Sequence, residues 1–392
     1  MLSRNSTSTQ QLKIIVVRAG QVGNMMANMI NTVRMAEGFA QLGHDTTILG
    51  YKNRQIDYSN EDLAHLYGID SSIKWKLLSE IPTRAKRARR HWGFATVALP
   101  YVLLQKPDLI FARNRVLPSI TSYLGIPSVV ESHTHVDANP PQFKRMLKST
   151  HHKGFKLLIT ISPVLRDYYI EQGAQAEKII ILPTGVNVDL FSPPSILPDS
   201  PYDKEGRNIV YCGHLYDYKG VPSILEAAKL LPRINFHLVG GLDEDINRVK
   251  YAIEKQAISN VKLYGMLNQS DLPPFLWNAD ILLLPPSNNH PSAKWTSPVK
   301  MGEYLAAQVP IIATTIPALK YWLSDEHVFF TEPDNGAKLA QTIQYVLDHP
   351  EESQKRIQAG QVLANQLSFQ ARAARIISMA QLGERTNANI ED

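Results

Sequence analysis

The sequence predicts an α/β protein built as two doubly wound domains in tandem, and three observations carry that prediction. Short, wholly apolar runs alternate with segments whose apolar residues recur at helical spacing. The alternation stops at residues 192–206, which hold four prolines in fifteen positions, and then starts again. At roughly 150 residues per domain, a chain of 392 has room for two.

The elements follow in order. Residues 12–17 (Leu-Lys-Ile-Ile-Val-Val) form the first apolar run, and Ile30, Val33, Ala36, Phe39 and Ala40 then recur at helical spacing up to Gly43. That reads as strand, loop and helix, with glycine at the helix stop. Strands are expected again over 46–49, 107–111, 128–130, 156–160 and 178–182, with helices over 118–124 and 164–172. Runs this apolar are strands buried on both faces of a parallel sheet. After the proline-rich break the spacing predicts strands over 208–211, 235–239, 261–264, 279–284 and 310–313, separated by helices over 222–231, 245–255, 272–277 and 298–307. Residues 336–383 are helical in pattern. The expected partition is an N-terminal domain over 1–190, a linker over 191–206, a C-terminal domain over 207–365, and a terminal helix in 366–392 that packs back on the first domain. Ligands in such folds sit at the carboxyl ends of the strands, so a cleft between the domains is the expected site.

Composition narrows the possible functions. With 44% hydrophobic and 20% charged residues the chain can build sizeable cores, which excludes disorder throughout. The single cysteine, Cys212, allows neither an internal disulfide nor a cysteine-rich metal site. The longest apolar run, 92–104, is thirteen residues long and holds Gly93 and Pro100, short of the about 20 needed to span a bilayer. Residues 1–10 are polar and carry no secretory apolar core, so a cytoplasmic location is expected. Charge is uneven: 23 basic against 14 acidic side chains in residues 1–190, and 18 against 22 in residues 191–392. A basic first half suits an anionic partner. Arg84, Lys86, Arg87, Arg89 and Arg90 adjoin the apolar run, and Lys144, Arg145, Lys148, His151, His152, Lys153 and Lys156 form a second cluster. Both suit peripheral contact with an anionic membrane surface. No nucleic-acid-binding motif accompanies the charge, and no nucleic acid partner is expected.

Several loops carry candidate chemistry. Gly20 and Gly23 follow the first strand and can bring backbone close to a phosphate. Their spacing is not the dinucleotide fingerprint, and no acidic residue closes the second strand, so a nicotinamide cofactor is not expected. Gly213, His214, Lys219 and Gly220 lie in a loop between a strand and a helix, where a lysine can neutralise a diphosphate. Lys300 and Glu303 stand one turn apart near the start of a helix, and a carboxylate there can accept from ribose hydroxyls. The histidines lack the carboxylate spacing of a zinc or iron site, and no metal is expected.

Residues 182–193 (Leu-Pro-Thr-Gly185-Val-Asn187-Val-Asp189-Leu-Phe191-Ser-Pro), the loop from Gly213 to Gly220, the segment Ala279-Asp280-Ile-Leu-Leu-Leu-Pro285-Pro-Ser and the block Ser297-Pro-Val-Lys300-Met-Gly-Glu303-Tyr-Leu-Ala-Ala together resemble the family 4 glycosyltransferases of the GT-B fold. The first half matches at Pro107-Asp-Leu-Ile-Phe-Ala-Arg113-Asn114 and Val130-Glu-Ser-His133. The resemblance implies two Rossmann-like domains and retaining transfer from a nucleotide-sugar donor, a uridine rather than a guanosine diphosphate sugar, to a glycan or lipid-linked acceptor, with no cofactor and no obligatory metal. It implies that Lys219 holds the diphosphate and Glu303 the ribose. It places His133 near the donor sugar, the Gly20 and Gly23 loop near phosphates or acceptor, and the backbone at Gly265 and Met266 against the base. Two positions depart from the family pattern: His214 stands where many members carry arginine, and Trp295 where the leading glutamate of the Glu-x7-Glu pattern falls. A neutral imidazole is the weaker diphosphate clamp, and an indole cannot accept from sugar hydroxyls. Backbone amides around 290–295 are then the expected substitute. The alternative reading is a catalytically silent subunit of the same fold that binds a partner or a membrane.

Overall fold

The computed structural model describes residues 10–80, 87–133, 141–202 and 206–382. The chain forms two compact units, residues 1–182 with 369–392, and residues 183–368.

The first unit is built on a seven-stranded sheet: β1 (Lys13–Gln21), β2 (Asp45–Tyr51), β3 (Lys74–Leu78), β4 (Leu109–Ala112), β5 (Ser128–Ser132), β6 (Phe155–Thr160) and β7 (Ile179–Ile181), in the order β3-β2-β1-β4-β5-β6-β7 and parallel throughout. The runs are apolar without alternation because each strand feeds two cores. Ile14 and Val16 enter one with Phe111 and Val129, while Ile15 and Val17 enter the other with Leu49 and Ile110. Helices cover both faces, as parallel sheets require.

The second unit repeats the plan with β8 (Asn208–Cys212), β9 (Asn235–Val239), β10 (Val261–Gly265), β11 (Ile281–Leu284), β12 (Ile311–Thr314) and β13 (Phe329–Thr331), in the order β10-β9-β8-β11-β12-β13 and again parallel. Val210, Cys212, Leu282 and Leu284 face one core, and Ile209, Tyr211, Ile281 and Leu283 the other. In each sheet the strand order reverses beside the first strand, between β1 and β4 and between β8 and β11. Open α/β sheets bind ligands at that point.

The unit boundaries differ from the expected ones. The first falls after Leu182, not after residue 190, and the second after Ser368. Residues 183–191 belong to the second unit because Val186 N–H donates to the Leu367 carbonyl (3.1 Å) and the Phe191 carbonyl accepts from Trp277 Nε1 (2.7 Å). Nor is the proline-rich stretch a free linker. Tyr202 is buried, its ring stacks on His237 with centroids 4.2 Å apart, and its hydroxyl donates to the Phe275 carbonyl. The C-terminal helical stretch is three helices, Gly336–Asp348, Pro350–Gln366 and Phe369–Met379, and the last lies in the first unit. It packs on helix Ala27–Gln41 so closely that a Cβ at Gly38 would meet the Phe369 carbonyl oxygen at 2.4 Å, which is why glycine stands there.

Strands β3 and β13 and helix Asn60–Tyr67 are additional to the sequence expectation. In β3 the exposed Lys74 and Lys76 flank the buried Trp75, the alternation of an edge strand and not an apolar run. The basic residues Lys144, Arg145 and Lys148 sit on helix Pro141–Ser149, which buries Phe143, Met146 and Leu147. Of the other basic cluster, Arg84 and Lys86 lie outside the described residues, and for Arg87, Arg89 and Arg90 only the backbone is described, as the start of helix Arg87–Gln105. No described helix is long and apolar enough to cross a membrane.

Candidate functional site

In the second unit the reversal point carries a cationic pocket. The chain leaves β8 at Cys212 and turns through Gly213 to a short 3₁₀ turn, Asp217–Lys219, which ends at Gly220. Gly220 has φ 89°, and a Cβ there would lie 1.8 Å from the Pro285 carbonyl oxygen, so the Lys219 loop can seat against the end of β11 only with glycine. Gly220→Ala is expected to cost about 2–4 kcal/mol of stability, read from urea unfolding.

Tyr211, Tyr218, Lys219, Pro285, Ser287, Thr296 and Lys300 line the pocket between them. Lys219 places Nζ 5.0 Å from the Tyr218 ring centroid, and burial pushes its ammonium below its ordinary range. Lys300, on helix Val299–Ala306, sets Nζ 3.8 Å from the Tyr211 ring centroid. Burial and then the neighbouring Lys219 charge push Lys300 down to about 7. Glu303, one turn on, is also buried, and burial pushes its carboxyl up to about 7 although Gln269 Nε2 donates to Oε1 at 3.4 Å. Gln269 follows β10 and the Gly265 and Met266 turn, so that turn and Glu303 share one side of the unit. Met266 is exposed there.

Two half-buried lysines that line one pocket, without an ion-pair partner among the described residues, form a site suited to an anion. Both are drawn toward the neutral form until one arrives. Replacing Lys300 with the isosteric methionine is therefore expected to stabilise the ligand-free protein at neutral pH by about 1–3 kcal/mol. The pH dependence follows from the same shift. The unfolded lysine titrates near 10.4, so between pH about 7 and about 10 the unfolded state binds the extra proton and stability rises with pH through this group. Glu303 acts oppositely, and stability falls as pH rises from about 4.5 to about 7. Thermal unfolding of Lys300→Met across that range should show a raised melting temperature at pH 7, by ~2–4 °C per kcal/mol, and a flattened alkaline rise.

Other expected contacts fall differently. The His214 ring stacks on Tyr216 with an interplanar angle of 8°, and its carbonyl accepts from the Tyr211 hydroxyl at 2.7 Å. It does not line the pocket. The amides near Trp295 are already used: Ser292 N–H donates to His290 Nδ1, Ala293 N–H to the His290 carbonyl, and Trp295 and Thr296 N–H to the Ser292 carbonyl. Those four amides are thus engaged within the 3₁₀ turn Pro291–Lys294 and its flanks. Burial pushes the Cys212 thiol up to about 12, so it is no nucleophile at neutral pH. Thr184 donates its N–H to Ser297 Oγ at 3.1 Å and its hydroxyl to the Ser297 carbonyl at 3.3 Å, which ties two of the motif segments together.

The first unit holds the remaining candidates. Gly23 N–H donates to the Tyr67 hydroxyl at 3.0 Å, and that hydroxyl donates to the Asn24 carbonyl at 3.0 Å. The amide that was expected to approach a phosphate is thus held within the fold. Gly20 lies against the Arg18 guanidinium. His133, just past β5, bridges two charged groups. A guanidinium only donates, so Arg113 Nη2 donates to His133 Nδ1 at 2.9 Å, and the ring proton on Nε2 is donated to Glu131 Oε1. Burial lowers the His133 pKa and Glu131 opposes it. Both ring nitrogens are therefore engaged within the first unit. Glu131 also receives Arg372 Nη2 at 2.8 Å from helix Phe369–Met379. Burial disfavours the carboxylate, but Arg372, His133 and Arg113 outweigh it and hold its pKa well below the usual range. Sequence reasoning picked out neither Gln269 nor Arg372. Glu131 and His133, two apart on an extended segment, had a legible signal in sharing one face.

Among the described residues no group of three His, Cys, Asp or Glu side chains is placed to hold a metal ion. Residues 206–349 match the family described as Glycosyl transferases group 1, and residues 31–190 the one described as Glycosyltransferase Family 4. Over 193 residues, 48% of this chain, the sequence is 24% identical to WcaL of Escherichia coli (strain K12), whose name assigns it to colanic acid biosynthesis as a glycosyltransferase; the match spans about half, 46%, of that relative's length. Among solved structures, Anabaena HepE (Alr3699) in complex with UDP has TM-score 0.70 at 16% identity, covering 94% of this chain and 100% of that one. A glycosyltransferase from Rickettsia africae has TM-score 0.73 at 19% identity, covering 96% and 100%. WaaG, a glycosyltransferase involved in lipopolysaccharide biosynthesis, has TM-score 0.64 at 14% identity, covering 94% and 99%. At such identities the likeness shows the fold, which is GT-B.

Proposed function

The chain belongs to the family 4, or group 1, glycosyltransferases, and on that premise we propose that it moves a sugar from a uridine diphosphate sugar to a hydroxyl acceptor, with retention, in the building of a polysaccharide or lipopolysaccharide. The observation that carries this reading is the pair of half-buried lysines, Lys219 and Lys300, lining one pocket at the β8 and β11 reversal point, with the buried Glu303 one turn on from Lys300. Departure of a nucleoside diphosphate develops negative charge on its phosphates. Fixed ammonium groups in a poorly hydrated pocket stabilise that charge with little reorganisation, in the role a bound metal plays elsewhere. Glu303, once ionised, accepts from the ribose hydroxyls, and the turn at Gly265 and Met266 offers backbone to the base. The names of the relatives agree: HepE is solved with UDP and with UDP-glucose, and WcaL and WaaG are named for colanic acid and lipopolysaccharide.

The acceptor in this reading is a glycan or a lipid-linked carrier, met at an anionic membrane surface. Lys144, Arg145, Lys148 and His152 line one groove with the exposed Tyr123, a cationic and aromatic face suited to headgroups. Flotation with anionic vesicles should weaken when Lys144, Arg145 and Lys148 are neutralised; equal flotation removes the membrane from the reading. Trp295 and the consumed amides beside it favour the second reading, a silent subunit. Incubation of the purified chain with a panel of nucleotide sugars separates the two. Donor hydrolysis that disappears in Lys219→Ala and in Glu303→Ala supports the enzyme, and a chain that binds no nucleotide supports the silent subunit.

A further inference from the structure

The first unit has a cationic cavity of its own at the β1 and β4 reversal point, and the proposed donor chemistry leaves it unused. Arg18 projects from β1, and Arg113, Asn114 and Arg115 follow β4; all four line the cavity with Thr32 and His133. The lining is rich in donors and poor in acceptors. Glu131 is the one carboxylate among its described residues, and Arg372, His133 and Arg113 already surround it. Two buried donors on its lining residues have no partner among the described residues: Arg18 Nε, although Arg18 Nη2 reaches Asn28 Oδ1 at 3.2 Å, and Asn114 Nδ2, whose residue is only 6% exposed. Burial and the Arg113 charge both work against the ionised form of Arg18. A buried N–H without an acceptor costs free energy, and a buried like-charge pair costs more. Such a cavity persists where a ligand supplies the missing acceptors and the missing negative charge. Three guanidinium groups against one carboxylate that is already paired need more than a single compensating charge. A phosphate monoester meets this with close to two negative charges on oxygens that fit the guanidinium fork, whereas a single carboxylate fits the fork but brings one charge.

We propose that this cavity binds a phosphate carried by the acceptor, with Arg18, Arg113 and the free Asn114 amide donating to its oxygens. The word acceptor rests on the glycosyl-transfer reading, while the anion site rests on the cavity alone. Glu131 and Arg372 are positioning residues, since the buried pair holds Arg113 and His133 at the cavity wall.

Equilibrium binding to the intact chain tests it, with inorganic phosphate, a soluble sugar phosphate, vesicles containing a polyprenyl phosphate, and UDP as separate probes. The variants are Arg18→Gln, Asn114→Asp and Lys219→Ala. Phosphate affinity should fall about tenfold to a hundredfold in the first two and stay within about twofold in Lys219→Ala. UDP should show the reverse pattern. Asn114→Asp guards against a folding artefact, because a carboxylate placed among arginines should raise the melting temperature while it expels the anion. If the sugar phosphate follows the Arg18→Gln pattern, the acceptor phosphate is free in solution; if the vesicles alone follow it, the phosphate is borne by lipid. Phosphate, sugar phosphate and vesicle binding that all ignore Arg18→Gln and Asn114→Asp would overturn the proposal. So would UDP affinity that collapses with them, since the cavity would then belong to the donor. Wild type that binds phosphate but no nucleotide would sink the transfer reading and keep the anion site.

Discussion

Alanine in place of Lys219 is expected to lower nucleotide-sugar turnover by about a hundredfold to a thousandfold, the loss seen when one pre-placed charge is removed from a developing anion. The loop that carries Lys219 is rigid at both ends: Gly220 seats against the Pro285 carbonyl, and the Tyr218 carbonyl accepts from Ser287 N–H at 3.0 Å. The ammonium is therefore set before the donor arrives and costs little to position. Lys300 cannot fully take over, because it is itself pushed to about 7 and only partly carries its proton at neutral pH before the anion binds. A transition-state role predicts a fall in kcat with KM little changed, whereas Glu303→Gln, which weakens a ribose contact made equally in ground and transition states, should act mainly on KM. Initial rates of donor hydrolysis against donor concentration separate the two. Equal kcat for wild type and Lys219→Ala would remove the lysine from the chemistry.

Arg372→Met should destabilise the first unit by about 1.5–3 kcal/mol, because the buried Glu131 carboxylate loses its guanidinium partner at 2.8 Å and keeps only His133 and the Arg113 contact at 3.8 Å. Glu131 is 2% exposed and Arg372 4%. The sign of the pH effect comes from the depressed Glu131 pKa. This group's stabilisation is fully present above the unfolded value, about 4.3, and is lost as pH falls toward the folded one. Urea unfolding of wild type should accordingly weaken below pH about 4. Adding Glu131→Gln to Arg372→Met should recover part of the loss, since the under-compensated buried charge is then gone. Two single variants as stable as wild type would show that the pair carries no weight.

How much of this was legible beforehand depended on the range of the interaction. The loop lysine, the helical Lys300 and Glu303, and the glycines at the turns stood in local patterns, because a strand end, a tight turn and a helix start each constrain only a few neighbouring residues. The stacked His214 and Tyr216 and the consumed amides at 292–296 were not legible, because they depend on how side chains and short turns settle once the strands are in place.

By itself the sequence determined the two parallel sheets apart from the edge strands β3 and β13, and the residues at the ends of β8 and β11, since a strand buried on both faces must be apolar along its whole length. Only the tertiary structure decided which unit owns residues 183–191 and 369–379, and which donors share the cavity of the first unit. Arg372 meets Glu131 across 241 positions. No spacing rule reaches that far, because such contacts form when whole elements pack and not when neighbours in the chain do.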